Sequence, residues 1–469
     1  MRTAILVLFL TIAAGLPPAL ARDGHEAKIG PKDAATDRSE EGEGGPPVMV
    51  EAVQFRHGYR LSIGPWSVRF SLPPGIDLLD LGDRFRAFLG LLLIVGVGVY
   101  LSDDRAAISW RLVFWCLAMQ SILAVFLLRT AAGGWLLGAS GMIVDAVVGG
   151  RRVGRDGPEA FLVGFVALPT VVVGSIVFAV LYHLGIMQRL VRVIGVATSR
   201  LPGSSGAESL DVAATMLVGQ TEAPLAIRPY LPRLTNSELL TVMTVGMANV
   251  SGSTMAAYVA FGIDPRQIMI CVLLSAPGAV LLSKLLVPET GTPETFGGRR
   301  PEIARLDSSL LSAVWRGTRE GMRMAFFIAA ALIAVMGLIA MVDQVLGLFG
   351  VSVEAFFGWA LAPVAYMLGV AWEDCRPVGE VLGTRTALNE WIAIQDLSHL
   401  RGAILDRSFL IAGFALCGFA NLGTTAVQIC GLGALAPERR ADLARLGVRA
   451  LLAATLANFL SACLAGVLL

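Results

Sequence analysis

Eight apolar runs, each long enough for a helix to cross a bilayer, which needs ~20 residues, fix the fold class of this 469-residue chain. They lie near 84–101, 108–131, 159–184, 237–262, 264–287, 312–346, 406–434 and 441–468. Charged residues make up 16% of the chain, against roughly 25% in soluble domains, so most of these runs have no aqueous role. A bilayer leaves no water for backbone N–H and C=O groups, and helices of this length satisfy them internally. The expected fold is an all-α polytopic membrane protein. A net charge of +1 points to no partner, and the absence of a basic patch with interleaved aromatics argues against nucleic acid. The six cysteines show no CxxC spacing and read as small core residues. No HExxH or GxSxG is present and the four histidines are scattered, so the chain does not read as an enzyme.

The N-terminus has the pattern of a processing signal. Arg2 precedes an apolar run from Ala4 to Ala14, and the segment ends in the small-x-small pattern Ala19-Leu20-Ala21. This predicts a signal peptide over 1–21, cleaved before Arg22, with a first membrane anchor as the competing reading. Residues 23–50 are Gly-, Glu- and Pro-rich and read as disordered, while Val53 to Ile63 alternates like a short hairpin around His57-Gly58. Residues 22–82 are then expected outside the cell. Eight spans starting outside return the C-terminus outside, and the arginine bias supports this orientation. The segments assigned to the cytoplasm hold, among others, Arg299, Arg300, Arg305, Arg316, Arg319 and Arg323.

Two stretches do not read as spans. Residues 206–233 and 376–400 are apolar at both ends and polar in the middle, with "GQTEAPLAIRPYL" in the first and "TALNEWIAI" in the second. Each fits a re-entrant hairpin of two half-length helices, which irregular backbone at membrane depth permits only under protein cover or beside a water-filled cavity. Pro224 suits the first turn of a helix, where its missing N–H costs nothing. Surface loops are the alternative, which the apolar flanks oppose.

The two stretches also match each other. "TEAPLAI" (Thr221 to Ile227) is similar to "NEWIAI" (Asn389 to Ile394), which aligns Glu222 with Glu390. Each is followed by an apolar run interrupted by polar and small residues, "ANVSGST" (Ala248 to Thr254) and "ANLGTT" (Ala420 to Thr425). Three spans separate the hairpins, so the second copy enters from the opposite face. That is an inverted repeat with hairpins and discontinuous helices, the architecture of secondary transporters with a site at the midplane. The polar groups gathered there would be Gln220, Thr221, Glu222, Glu390, Asn421 and Thr424. A charge at the membrane centre costs ~2.5–3.5 kcal/mol, so two carboxylates need a reason. Carboxylates only accept hydrogen bonds, whereas Gln and Asn donate and accept. The set suits a neutral solute rich in hydroxyl and amide-like edges, such as a nucleoside, a sugar or an amide, and repels phosphate. Alternatively, these groups satisfy one another across a packed core.

The long motifs resemble the concentrative nucleoside transporter family. They are "GQTEAPLAIRPYL", "LTNSELLTVMTVGMA", "SAPGAVLLSKLLVPET", "ALNEWIAI", "RSFLIAGFALCGFANLG" and "CGLGALAPERRADLARLGVRALL", and the likeness covers about 84–469. The resemblance implies eight core spans, two re-entrant hairpins, interfacial helices, a scaffold part, a mobile transport part and a homotrimer in the inner (plasma) membrane. The domains would be the signal peptide (1–21), the exported segment (22–82), scaffold spans 1–3 (83–185), a first transport repeat (186–290), a cytoplasmic loop with scaffold span 6 (291–350) and a second transport repeat (351–469). The implied activity is cation-coupled uptake of nucleosides such as uridine and adenosine by alternating access. By motif, Gln220, Thr221 and Glu222 would face the base, and Glu390 and Asn421 the ribose. Thr424 stands where the family usually has serine, and Phe419 where an aromatic lines the pocket.

This chain departs from the family at several of these positions. Thr215 replaces the usual Asn and Asn249 the usual Ser or Thr; with Val218 and Val250 they would line the sodium site. Both versions supply oxygen, so the exchange either preserves the site or marks proton coupling. Thr254 replaces an apolar pocket residue and Trp391 the usual Phe. The sequence leaves open proton rather than sodium coupling, purine or pyrimidine preference, and a non-transporting receptor or gate on the same fold.

Overall fold

A computed structural model describes residues 50–55, 58–63, 66–70, 78–130, 133–134, 168–186, 189, 204–216, 219–220, 223–250, 254–255, 258–259, 261–295, 308–348, 353–387 and 390–469. The signal expected over 1–21 and the stretch 22–49 lie outside them.

The segment expected outside the cell departs from the all-α expectation. Strands β1 (Val50–Phe55), β2 (Gly58–Ile63) and β3 (Trp66–Phe70) form an antiparallel sheet in the order β1-β2-β3. Phe55 stands opposite Gly58, so the hairpin read around His57-Gly58 is present. The alternation in "WSVRF" extends it by one more strand.

The remainder is helical. In chain order the helices are α1 (Leu78–Tyr100), α2 (Trp110–Arg129), α3 (Leu168–His183), α4 (Gly206–Thr215), α5 (Ala223–Ala226), α6 (Asn236–Ala248), α7 (Pro265–Leu286), α8 (Leu310–Gly347), α9 (Val353–Leu368), α10 (Cys375–Ala387), α11 (Glu390–His399), α12 (Asp406–Leu416), α13 (Leu422–Leu435) and α14 (Arg440–Leu468). Among the described residues three stretches are long and apolar enough to cross a membrane: Trp110–Arg129, Pro265–Leu286 and Pro437–Leu468.

Helix starts follow local chemistry. Ser205 and Glu208 form a capping box on α4, and Thr235 and Glu238 form another on α6. Asp264 caps α7, with Pro265 in its first turn. The apolar run over 237–262 is interrupted where the polar cluster predicts a break: α6 stops at Ala248. The run over 406–434 likewise divides into α12 and α13, with Cys417 to Asn421 between them. Short paired helices precede each break, α4 and α5 before the first, α10 and α11 before the second.

Sequence analysis assigns no element to 353–368, yet α9 occupies it. At 16 residues it spans about 24 Å, short of the ~30 Å hydrocarbon core, so its apolar run falls below the length that marks a span. Helix α14 is the hub, packing on α1, α2, α6, α7, α9, α12 and α13. Its small residues Ala450, Ala453, Ala454 and Ala457 are fully buried and let these neighbours approach.

Candidate functional site

Helix α13 organises the site. Its cap is Asn421, whose Oδ1 accepts from the Thr424 N–H at 2.8 Å, leaving the amide nitrogen to point elsewhere. That nitrogen donates to the Glu390 carboxylate in a short hydrogen bond, and both residues are buried. Glu390 is the first residue of α11, where the positive end of the helix dipole favours a carboxylate. Two turns along α13, Gln428 Nε2 donates to Gln220 Oε1 at 3.0 Å. Asn421, Thr424 and Gln428 follow i, i+3, i+7 spacing and share one face. Over seven residues the helix rises about 10 Å. The stripe therefore joins Glu390 of the second short-helix pair to Gln220 of the first, from opposite ends. Gly246 of α6 makes room for the second contact: a Cβ there would lie 2.0 Å from Gln428 Nε2.

Other expected residues gather nearby or fall outside the described residues. Phe419 and Thr424 are buried at the break before α13 and on its first turn, and Thr254 is fully buried. Trp391 meets Tyr258 edge-on at 5.5 Å. Thr221, Glu222 and Val218 lie outside the described residues. Thr215 ends α4 and is buried. Asn249 caps the end of α6; its Nδ2 donates to the Val245 carbonyl at 3.2 Å and its Oδ1 accepts from Ser275 Oγ at 2.5 Å. Val250 follows it, fully buried.

The structure adds residues that sequence reasoning missed. Asn458 of α14 donates through Nδ2 to the Ala248 carbonyl at 2.9 Å and, in a short bond, to the Cys417 carbonyl. Those are the carbonyls at the ends of α6 and α12, so one amide ties both breaks together. Gly418 permits this crossing, with φ +154° and no room for a Cβ, which would lie 2.7 Å from Ala248 O. Arg385 of α10 is buried, donates to the Ala415 carbonyl and lies over the Phe459 ring at 5.8 Å. Its charge offsets that of Glu390 at the start of the next helix. For Gln428, the signal available in the sequence was its seven-residue spacing from Asn421. Asn458 carried none, since its partners are 41 and 210 residues away.

The arrangement offers a carboxylate, three amides and hydroxyls along one helix face, walled by aromatic rings. Such a set suits a neutral polar solute, and among the described residues it contains no nucleophile paired with a base. Comparison with known proteins agrees. Residues 267–466 match the family described as "Na+ dependent nucleoside transporter C-terminus", 89–156 the corresponding N-terminus, and 164–264 the family described as "Nucleoside recognition". An uncharacterized transporter of Haemophilus influenzae is 36% identical over 81% of this chain and 96% of its own length. Mouse solute carrier family 28 member 3 is 35% identical; the match covers 88% of this chain and 63% of that protein. Rat sodium/nucleoside cotransporter 1 is 34% identical over 84% of this chain and 65% of its own length. Among solved structures, CNTnw in an inward-facing substrate-bound state superposes with TM-score 0.75 at 35% identity, covering 82% of this chain and 98% of that one. A variant of CNTnw in an outward-facing state superposes with the same score at 34% identity.

Proposed function

This chain belongs to the concentrative nucleoside transporter family, and from that premise we propose that it carries nucleosides into the cell, coupled to sodium, by alternating access. The family is one of membrane transporters, not enzymes. The observation that carries the reading is the α13 stripe, on which the partners of Glu390 and Gln220, Asn421 and Gln428, stand about 10 Å apart along the axis. Neighbouring ribose hydroxyls suit the Glu390–Asn421 pair: the carboxylate accepts from them and the amide keeps its rotamer. A base edge, which donates and accepts, suits Gln220 with Gln428, joined by Thr221 and Glu222 at the hairpin tip. Phe419 and Thr254 line the space between.

In this reading the α4/α5 and α10/α11 pairs are re-entrant hairpins of an inverted repeat, and eight spans cross the inner (plasma) membrane. Large exposed side chains such as Trp315, Phe326 and Trp359 face lipid or the neighbouring protomers of a homotrimer. The sodium site is formed by Thr215, Asn249 and the backbone at Val218 and Val250. The oxygens supplied there suit a hard metal cation. Uptake of radiolabelled uridine and adenosine into proteoliposomes tests the reading. Accumulation above the external concentration under an inward sodium gradient is expected; equilibration to the external level, or binding without uptake, overturns it.

A further inference from the structure

Asp211 stands in the middle of α4, fully buried, and neither of its carboxylate oxygens has a hydrogen-bond partner. A buried charge without a partner is among the costliest arrangements a protein can keep. The surrounding groups do not relieve it. Glu208, one turn towards the N-terminus, is another carboxylate and is already paired with Lys284 at 2.5 Å. Lys284 in turn reaches Glu289 at 3.2 Å, so that ammonium is shared between two other acids.

On the other side, one turn on and on the same helix face, stands Thr215. Its hydroxyl lies close to the carboxylate without completing a hydrogen bond to it. Helix α4 packs on α6, the helix that Asn249 ends. Thr215, Asn249 and the carbonyls at the break are all neutral ligands, and a cation held among them in a dry interior lacks a counter-charge. Asp211 has the charge, burial and position to provide it, and hard cations prefer oxygen ligands of this type.

We propose that the Asp211 carboxylate is a ligand of the transported cation, binding sodium together with the Thr215 hydroxyl. This rests on the sodium-coupled reading above. It makes the loaded site electroneutral and gives the structure a reason to retain an otherwise unpartnered acid.

The test reads cation binding without transport. The purified protein in detergent is titrated with sodium chloride against choline chloride at constant ionic strength, and thermal unfolding is followed by intrinsic fluorescence. The wild type is expected to gain stability saturably with sodium. Asp211→Asn, nearly the same size, is expected to raise the half-saturating sodium concentration at least tenfold. Thr215→Val should raise it as well. Asp211→Glu should keep the sodium response while shifting the preference between sodium and lithium, and it serves where the Asn variant is not monodisperse. Wild-type half-saturation in Asp211→Asn, or wild-type ion preference in Asp211→Glu, overturns the assignment of Asp211 and leaves sodium coupling standing. A wild type that responds to pH but not to sodium overturns both.

Discussion

Glu390 and Gln220 are each held by one amide partner, and that makes the site sensitive to single atoms. Glu390→Gln keeps an oxygen for Asn421 and removes the charge that ribose hydroxyls would bind. Hydrogen bonds to charged groups contribute about 1.5–3 kcal/mol, so uptake efficiency is expected to fall about 10- to 150-fold with normal membrane insertion. Wild-type kinetics in this variant would remove Glu390 from the site. Gly246→Ala acts more indirectly. Its Cβ would lie 2.0 Å from Gln428 Nε2, the flexible end of a side chain, so Gln428 swings away and leaves Gln220. Loss of one neutral hydrogen bond, about 0.5–1.5 kcal/mol, predicts a 2- to 12-fold rise in the nucleoside concentration for half-maximal uptake, with little change in melting temperature. A melting temperature that collapses instead would show Gly246 to be a packing residue only. The sequence made Glu390 legible because a carboxylate in an apolar surround demands an explanation. It made Asp211 no less visible as a letter, but the flanking "AESLDVAAT" reads as an ordinary capped helix, and only packing shows that no hydrogen bond to it is completed.

The broken helices are the elements on which transport would turn, and Asn458 is their shared fastening. A helix that stops inside an apolar interior leaves carbonyls that water cannot reach. Asn458 satisfies Ala248 and Cys417 with one amide. Asn458→Leu keeps the volume and removes the donors. Each orphaned carbonyl costs about 1–3 kcal/mol, so the variant is expected to melt several degrees lower in detergent and to lose uptake in proportion to folded protein. An unchanged melting temperature would mean that the two breaks hold without it. At this scale the sequence was readable where polar residues cluster, as in "ANVSGST" and "GFANLG", because both interrupt an apolar run. It was unreadable where function rests on one residue within such a run: "LAATLANFLSA" places Asn458 among alanines and leucines with nothing local to mark what it binds. Helix α9 was missed for a related reason, its apolar stretch being too short to register as a span.

At the scale of the molecule, orientation and coupling each rest on an asymmetry in the chain. The small-x-small end of the expected signal and the arginine bias both put the N-terminal sheet outside. Cys430 is the exposed cysteine among the six, so it is first replaced by serine. A cysteine then placed at Ser39 should react with an impermeant reagent in intact cells; reaction only after permeabilisation would reverse the topology and with it the inversion of the repeat. Orientation decides the direction of the driving force. A cation entering down ~100 mV supplies ~2.3 kcal/mol. A tenfold gradient adds ~1.4 kcal/mol. At one cation per nucleoside the two together support accumulation of several hundredfold, and the electrical part alone about 50-fold. Proteoliposomes with an imposed inside-negative potassium diffusion potential separate the contributions. With sodium outside and none inside, uridine should rise well above its external level, and abolishing the potential should lower the plateau by about that electrical factor. In sodium-free buffer a protonophore should then change nothing. Accumulation that persists without sodium and collapses with the protonophore would assign the coupling to protons. A plateau fixed at the external concentration under every gradient would mean that the stripe on α13 lines a passive pore.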